Sequence, residues 1–336
     1  MSIPANCFDR DIYVRRGYVV SCVSGDSKKI SWSLGEGGDT IYYYVGVLGD
    51  SVYYNYGDGY IEVNRHTGEI VKSTNREGHL QFLIGDKFVS TVNRTRLTIF
   101  DISGRLIFDF DGNYGIYLKV LRESGIVVFL ASTGMYVFNE MDWSLLWEMD
   151  FEKRAKTRFP ELMAGWNSNP FNYTNSAYPG ITKGPLVDGV LYLRWCGHVL
   201  ALDAATGEEL WSYVYPVDHI ARFYPMPVCR DGLLYMMQYL PETKDNVLIC
   251  LDAKTGEYQY QSDEGLFKLE SFEVFICDSD YIVATSGKII AYNLMERKIN
   301  WIYEEENPRL ENGFMPYGDG LISASLEHSV LYWYEP

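Results

Sequence analysis

The stretch VLYLRWCGHVLALDAATGEELWSY, residues 190–213, decides the fold. Its runs VLYL and VLAL are apolar without polar alternation, the pattern of short strands covered on both faces. The second run stops at Asp203, and an aspartate at a strand end accepts hydrogen bonds from the backbone N–H groups just ahead of it. Gly207 supplies the positive φ of a tight hairpin. Trp211 falls on the strand that follows, where its area can seal the gap to a neighbouring sheet.

The same unit recurs along the chain. LLYMMQYLPETKDNVLICLDAKTGEYQY (233–260) places Asp252, Thr255, Gly256 and Tyr260 in register with Asp203, Thr206, Gly207 and, at the aromatic position, Trp211. Weaker copies place Asn64 in YIEVNRHTGEIVK, Asp101 in LTIFDISGRLIF, Asn139 in MYVFNEMDWSLLW and Asn293 in IIAYNLMERKINW. The start places Ser24 in CVSGDSKKISW, and the end places Tyr334 in VLYWYEP. Most anchor-to-anchor steps are 37 to 41 residues, with longer steps of 64 and 49. A period near 40 built from short apolar runs and turns predicts four strands per unit, arranged radially as propeller blades.

The segment ALDAATGEELW (201–211) resembles the repeat of the pyrroloquinoline-quinone-like β-propeller family, in diverged form. That family includes quinoprotein dehydrogenases and a bacterial outer-membrane assembly lipoprotein. The resemblance implies a propeller and little about activity. The enzymes use neighbouring cysteines and calcium-binding carboxylates, whereas Cys7, Cys22, Cys196, Cys229, Cys250 and Cys277 are far apart. No cofactor is therefore expected. The lipoprotein role needs a cysteine after an apolar leader, and Cys7 follows only MSIPAN.

The expected architecture is one all-β propeller domain over residues 1–336. Runs 41–47, 51–56, 59–64 and 69–73 make a first complete blade, and six blades follow the anchors from Asn64 to Asn293. The last segment offers strands near 313–317, 320–326 and 329–334 without an outer one, while Tyr18–Val23 and Ile30–Leu34 form an orphan hairpin. Closing the ring with the N-terminal strand gives seven four-stranded blades. Eight blades are the alternative.

Composition narrows the function. The chain has 45 acidic and 29 basic side chains, for a net charge of -16. That balance opposes nucleic-acid binding, which needs a basic footprint. It suits a protein partner with a basic surface. No run reaches the roughly 18 apolar residues of a membrane-spanning helix. Scattered cysteines in apolar runs and no secretory leader predict a reduced, cytoplasmic protein. The five histidines lack HxH or HExxH spacing, so no metal site is expected. No G-x-S-x-G elbow or P-loop is present.

One segment stands out. FEKRAKTRFPELMAGWNSNPFNYTNSAYPG (151–180) is a long inter-blade insertion, basic at its start and then rich in aromatics and asparagines. Loops of this length in a compact fold usually carry function. With 215–225 and 304–313 it joins the fourth strand of one blade to the first of the next, and 238–246 is an enlarged loop between second and third strands. All four are expected on one face. The predicted partner-binding residues are Arg158, Trp166, Asn167, Tyr173, His219, Arg222 and Tyr224, with no catalytic and no metal-binding residue assigned. The leading expectation is a non-catalytic protein-binding propeller, in its sharpest form an immunity protein that neutralises a basic toxin. The alternatives are a hydrolase or lyase using His219 and Glu242 at the channel mouth, and a carbohydrate or small-ligand binder.

Overall fold

The computed structural model describes residues 5–334 apart from 17, 36–41, 57–58, 76–78, 93–95, 112–118, 131–133, 159, 161–181, 196–197, 215–226, 241, 244, 265, 268–272, 278–279, 286–287, 305–313, 318–319 and 326–329. Seven antiparallel sheets of four strands each succeed one another, with sequential strands adjacent throughout. Sheet one comprises Ala5–Phe8, Asp11–Arg16, Val19–Ser24 and Lys29–Leu34. Sheet two comprises Tyr42–Leu48, Ser51–Tyr56, Gly59–Asn64 and Ile70–Asn75. Sheet three comprises His79–Ile84, Lys87–Val92, Arg96–Asp101 and Leu106–Asp111. Sheet four comprises Lys119–Glu123, Ile126–Leu130, Gly134–Asn139 and Leu145–Asp150. Sheet five comprises Thr182–Val187, Val190–Trp195, His198–Asp203 and Glu209–Val214. Sheet six comprises Val228–Arg230, Leu233–Leu240, Asp245–Asp252 and Tyr258–Gln261. Sheet seven comprises Glu273–Cys277, Asp280–Thr285, Lys288–Asn293 and Lys298–Glu304. Phe314–Tyr317, Gly320–Ser325 and Val330–Tyr334 form a further, three-stranded sheet.

The expected propeller of four-stranded blades is what the chain forms, with seven complete blades. Its closure is corrected. Ala5–Phe8 pairs with Asp11–Arg16 inside sheet one, and Val330–Tyr334 pairs with Gly320–Ser325 as the only partner among the described residues. The orphan hairpin is therefore the second half of sheet one, not a donor to the last sheet. Charged residues around NCF and DIYVRR disguise its first half, yet Ile12 and Tyr13 are fully buried. Counting the partial sheet makes eight sheets, the alternative number.

The Asp and Asn anchors perform the local chemistry read from them. Asp203 Oδ1 accepts from the backbone N–H groups of Ala205 and Thr206 at 2.9 and 2.8 Å, and Asp252 Oδ1 does so from Lys254 and Thr255. Asn64 Oδ1 accepts from His66 and Thr67, and Asn293 Oδ1 from Met295 and Glu296. The last anchor moves by one residue: Leu321 pairs with Tyr334 as Leu191 pairs with Leu202, so position 335, not Tyr334, corresponds to Asp203.

The chain divides into two compact units, 1–118 with 311–336, and 119–310. Within each, apolar layers lie between successive sheets. In the second unit Leu200 and Leu202 face sheet four, where Val128, Met135 and Val137 cover them, while Val199 and Ala201 face Leu234, Met236 and Ile249 of sheet six. In the first unit Val20, Cys22 and Trp32 pack on Val52, Ile61 and Val63. The non-alternating strands are thus buried on both faces.

The segment 238–246 is not an enlarged loop. The strands Leu233–Leu240 and Asp245–Asp252 lengthen to eight residues each and close over residues 241–244. The start of 151–180 is also not a loop: Phe151–Arg158 is an α-helix, α1.

Candidate interaction site

Helix α1 follows directly from the fourth strand of sheet four. Asp150 caps it, its Oδ1 accepting from the Lys153 backbone N–H at 2.8 Å. Phe151 and Ala155, one turn apart, are buried against the apolar layer between sheets four and five. Arg154 and Arg158, three and seven residues after Phe151, flank this buried side. Arg158 Nη2 donates to Glu209 Oε1 at 2.7 Å and to Ser212 Oγ at 3.4 Å, and Arg154 Nη2 stands 3.5 Å from Glu209 Oε2. Glu209 and Ser212 belong to the fourth strand of sheet five. The helix therefore clamps sheet four's exit to sheet five, and the connection that carries the aromatic and asparagine residues leaves from a fixed point.

Arg158, a predicted partner-binding residue, is thus held inside the chain, with 42 % of its side chain exposed. Trp166, Asn167, Tyr173, His219, Arg222 and Tyr224 lie outside the described residues. Both connections join a fourth strand to the next first strand, as read from the sequence. Glu242, the alternative acid or base, sits exposed in the turn that closes the long hairpin of sheet six.

A second feature was not read from the sequence. The first strands of sheets four, five and six bound a cleft of about 300 Å³, walled by Leu121, Leu186, Pro227 and Val228. These first strands end in the hairpin turns Ser124–Gly125, Asp188–Gly189 and Asp231–Gly232, which have positive φ at both central residues, as two-residue type I′ turns require. A bulge at Gly184–Pro185 shapes its middle wall, where the register slips between Lys183 and Leu186. A Cβ at Gly184 would stand 1.7 Å from the Tyr192 carbonyl oxygen, so only glycine permits this path. The bulge was legible in ITKGPLV, because proline inside a strand marks an edge or a bulge.

Among the described residues lining the cleft, Arg122 alone is charged. Its Nη2 lies 2.6 Å from Glu140 Oε1, and that carboxylate holds the guanidinium protonated. Half of the Arg122 side chain remains exposed. Among the described residues no cluster of three or more His, Cys, Asp or Glu could hold a metal ion. Cys22, Cys229 and Cys250 are free thiols, and burial pushes them up to about 12, about 11 and about 11.

The chain matches a known group. The family model described as outer membrane protein assembly factor BamB matches residues 135–314, more than half of the chain. The chain belongs to this family. Among solved structures, the crystal structure of BamB from Moraxella catarrhalis superposes with a TM-score of 0.66 at 13% identity, covering 98% of this chain and 96% of that one. The computationally designed Ika8 protein gives a TM-score of 0.69 at 12% identity, over 99% and 96% of the two chains. Sqt1 from Saccharomyces cerevisiae gives 0.62 at 9% identity, over 97% and 93%. At these identities the BamB, Ika8 and Sqt1 structures speak to the fold alone. No curated protein matches the chain. No helix among the described residues is long and apolar enough to cross a membrane.

Proposed function

We propose that this BamB-family propeller is a non-catalytic scaffold that binds another protein through the connections after sheets four and five. The observation that carries the reading is the clamp of α1. Phe151 and Ala155 buried below, with Arg154 and Arg158 tied to Glu209, give the segment 159–181 a rigid base. A binding loop held at its root loses less entropy on docking. That segment supplies Trp166, Asn167 and Tyr173, and the next connection supplies His219, Arg222 and Tyr224, a set rich in the Trp, Tyr and Arg favoured at interface centres. The family's description as an assembly factor agrees with a protein partner.

The finer form of the proposal is a partner with a basic surface, a cationic toxin neutralised by this chain acting as its immunity protein. The net charge of -16 supports it, because long-range attraction speeds encounter with a cation. We place the protein in a reducing, cytoplasmic setting on the strength of its free buried thiols.

The test compares the full chain with a variant lacking 161–178, both checked by circular dichroism, for capture of partners from the native host. A partner held by the full chain and released by the deletion supports the site. Equal capture by both moves the interface elsewhere. Association measured across ionic strength tests the charge: a rate that falls steeply with salt supports the basic partner, and an unchanged rate removes it.

A further inference from the structure

We infer that the open edge of the three-stranded sheet takes a fourth strand from another protein, and that this strand sets an aromatic residue opposite position 333. The inference goes beyond the reading above and does not depend on it, since no residue of the connections after sheets four and five enters it. Among the described residues Val330–Tyr334 is paired on one side only, with Gly320–Ser325. An edge strand exposes a row of backbone donors and acceptors that another chain can continue.

The chain itself shows seven times what covers such an edge. In sheets one to seven a fourth strand runs antiparallel to the third, and in each the register slips by one residue just before the anchor. Opposite the residue two before the anchor, six of these seven fourth strands carry an aromatic: Trp32, Phe108, Trp147, Trp211, Tyr260 and Trp301. Leu321 pairs with Tyr334 as Leu191 pairs with Leu202. That register puts Trp333 at the position the aromatics oppose, and Leu331 two residues earlier.

Backbone direction follows from the same register. The Asp203 N–H donates to the Glu208 carbonyl at 2.9 Å, on the fourth-strand side, so Ala201 and Val199 also turn their backbone groups to that side. Trp333 and Leu331, their counterparts, turn theirs to the open edge. Every described strand of this chain already has its place in a sheet, and a second copy would have to break one of its own blades to give one. The donor is therefore a different polypeptide with an extended segment that carries an aromatic residue.

The test is fluorescence anisotropy of the full chain with a labelled synthetic peptide of residues 28–35, KKISWSLG, which spans the fourth strand of sheet one. In sheet one Trp32 and Leu34 stand opposite Cys22 and Val20, the residues whose backbone groups face the fourth strand. The peptide should bind. N-methylation at Trp32 and Leu34 removes the ladder donors, keeps charge and side chains, and should weaken it roughly tenfold or more. Trp32→Ser in the peptide should weaken it several-fold. In the protein, Leu331→Pro removes an outward N–H, which an edge strand tolerates, and should weaken binding about tenfold, while Leu331→Ala keeps the N–H and should stay within about threefold. Melting temperatures control for folding, and should Leu331→Pro fail to fold, the methylated peptide decides. Equal binding of the plain and methylated peptides, or no binding at roughly 1 mM, overturns the proposal. A chain that dimerises through this edge, with Leu331→Pro restoring the monomer, also overturns it by assigning the edge to a second copy.

Discussion

The Trp147 indole Nε1 donates to the Ala204 carbonyl of the next sheet at 2.9 Å, while its ring lies against Gly207. A Cβ at Gly207 would stand 2.7 Å from Trp147 Cδ2, and this glycine has φ of 76°. The latch repeats at Trp211 to Ala253 and at Trp32 to Arg65, over Gly256 and Gly68. Each aromatic stands eight residues after its anchor, and each accepting carbonyl one residue after the next anchor. The anchor turn and the aromatic are thus two halves of one joint between blades.

Trp147→Phe keeps most of the ring and removes the N–H, and is expected to cost about 1 kcal/mol. Gly207→Ala strains a positive-φ turn and pushes on the ring, and is expected to cost roughly 2 kcal/mol. Urea unfolding midpoints measure both. Midpoints equal to the parent chain's would show that the latch contributes nothing.

Helix α1 should answer to its buried side far more than to its ion pairs. Ala155→Asp places a carboxylate where 1 % of the residue is exposed, and a loss of about 3 kcal/mol is expected. Glu209→Gln releases partly exposed arginines and should cost less than about 1 kcal/mol. Deleting 161–178 while keeping α1 should leave the melting temperature within a few degrees of the parent. Calorimetric melts of the three variants rank them, and a deletion that melts far below the others would mark the segment as packing.

Alkaline pH should destabilise the fold. Burial raises Cys22 to about 12, Cys229 and Cys250 to about 11, and Tyr53 and Tyr235 to about 12, against ordinary values of 9.0 and 10.0. The folded chain holds these protons longer than the unfolded chain does. Their contribution is complete below pH 9 and is lost as pH rises through 9 to 12. Melting temperatures should be flat from pH 7 to 9 on this account and fall above it. The same burial predicts slow reaction of the thiols with a disulfide reagent at pH 8 until the protein unfolds.

Ile12 is 0 % exposed in sheet one. Ile12→Asp is expected to cost more than about 3 kcal/mol, because an unpaired charge enters a covered strand. Removal of residues 1–34 takes away a complete sheet and should unfold the first unit's packing on Val52 and Val63. A truncated chain that melts like the parent would refute the pairing of Ala5–Phe8 with Asp11–Arg16.

The parts of the fold legible in the chain are those set by short-range chemistry. Asp203 and Asp252 select their turns with their own side chains, and the apolar runs before them report covered strands wherever they lie. The closure differs from the expectation because charges at Asp9, Arg10, Asp11, Arg15 and Arg16 hide a strand pair whose described buried residues are only Ile12 and Tyr13. Residues 151–158 carry a weak helical signal, because four of the eight are cations. Arg158 reaches Glu209, 51 residues away, a contact no local pattern reveals.

From its sequence alone this protein is a ring-type repeat of four-stranded blades, because turn residues, apolar runs and aromatic spacing act within one repeat and need no distant partner. Only the tertiary structure decides that α1 is clamped to sheet five, and that Leu121 and Arg122, Gly184 to Leu186, and Pro227 and Val228 line one cleft. Those groups come from three different repeats. They meet because sheets stack face to face through apolar layers, and stacking brings together positions that no local pattern links.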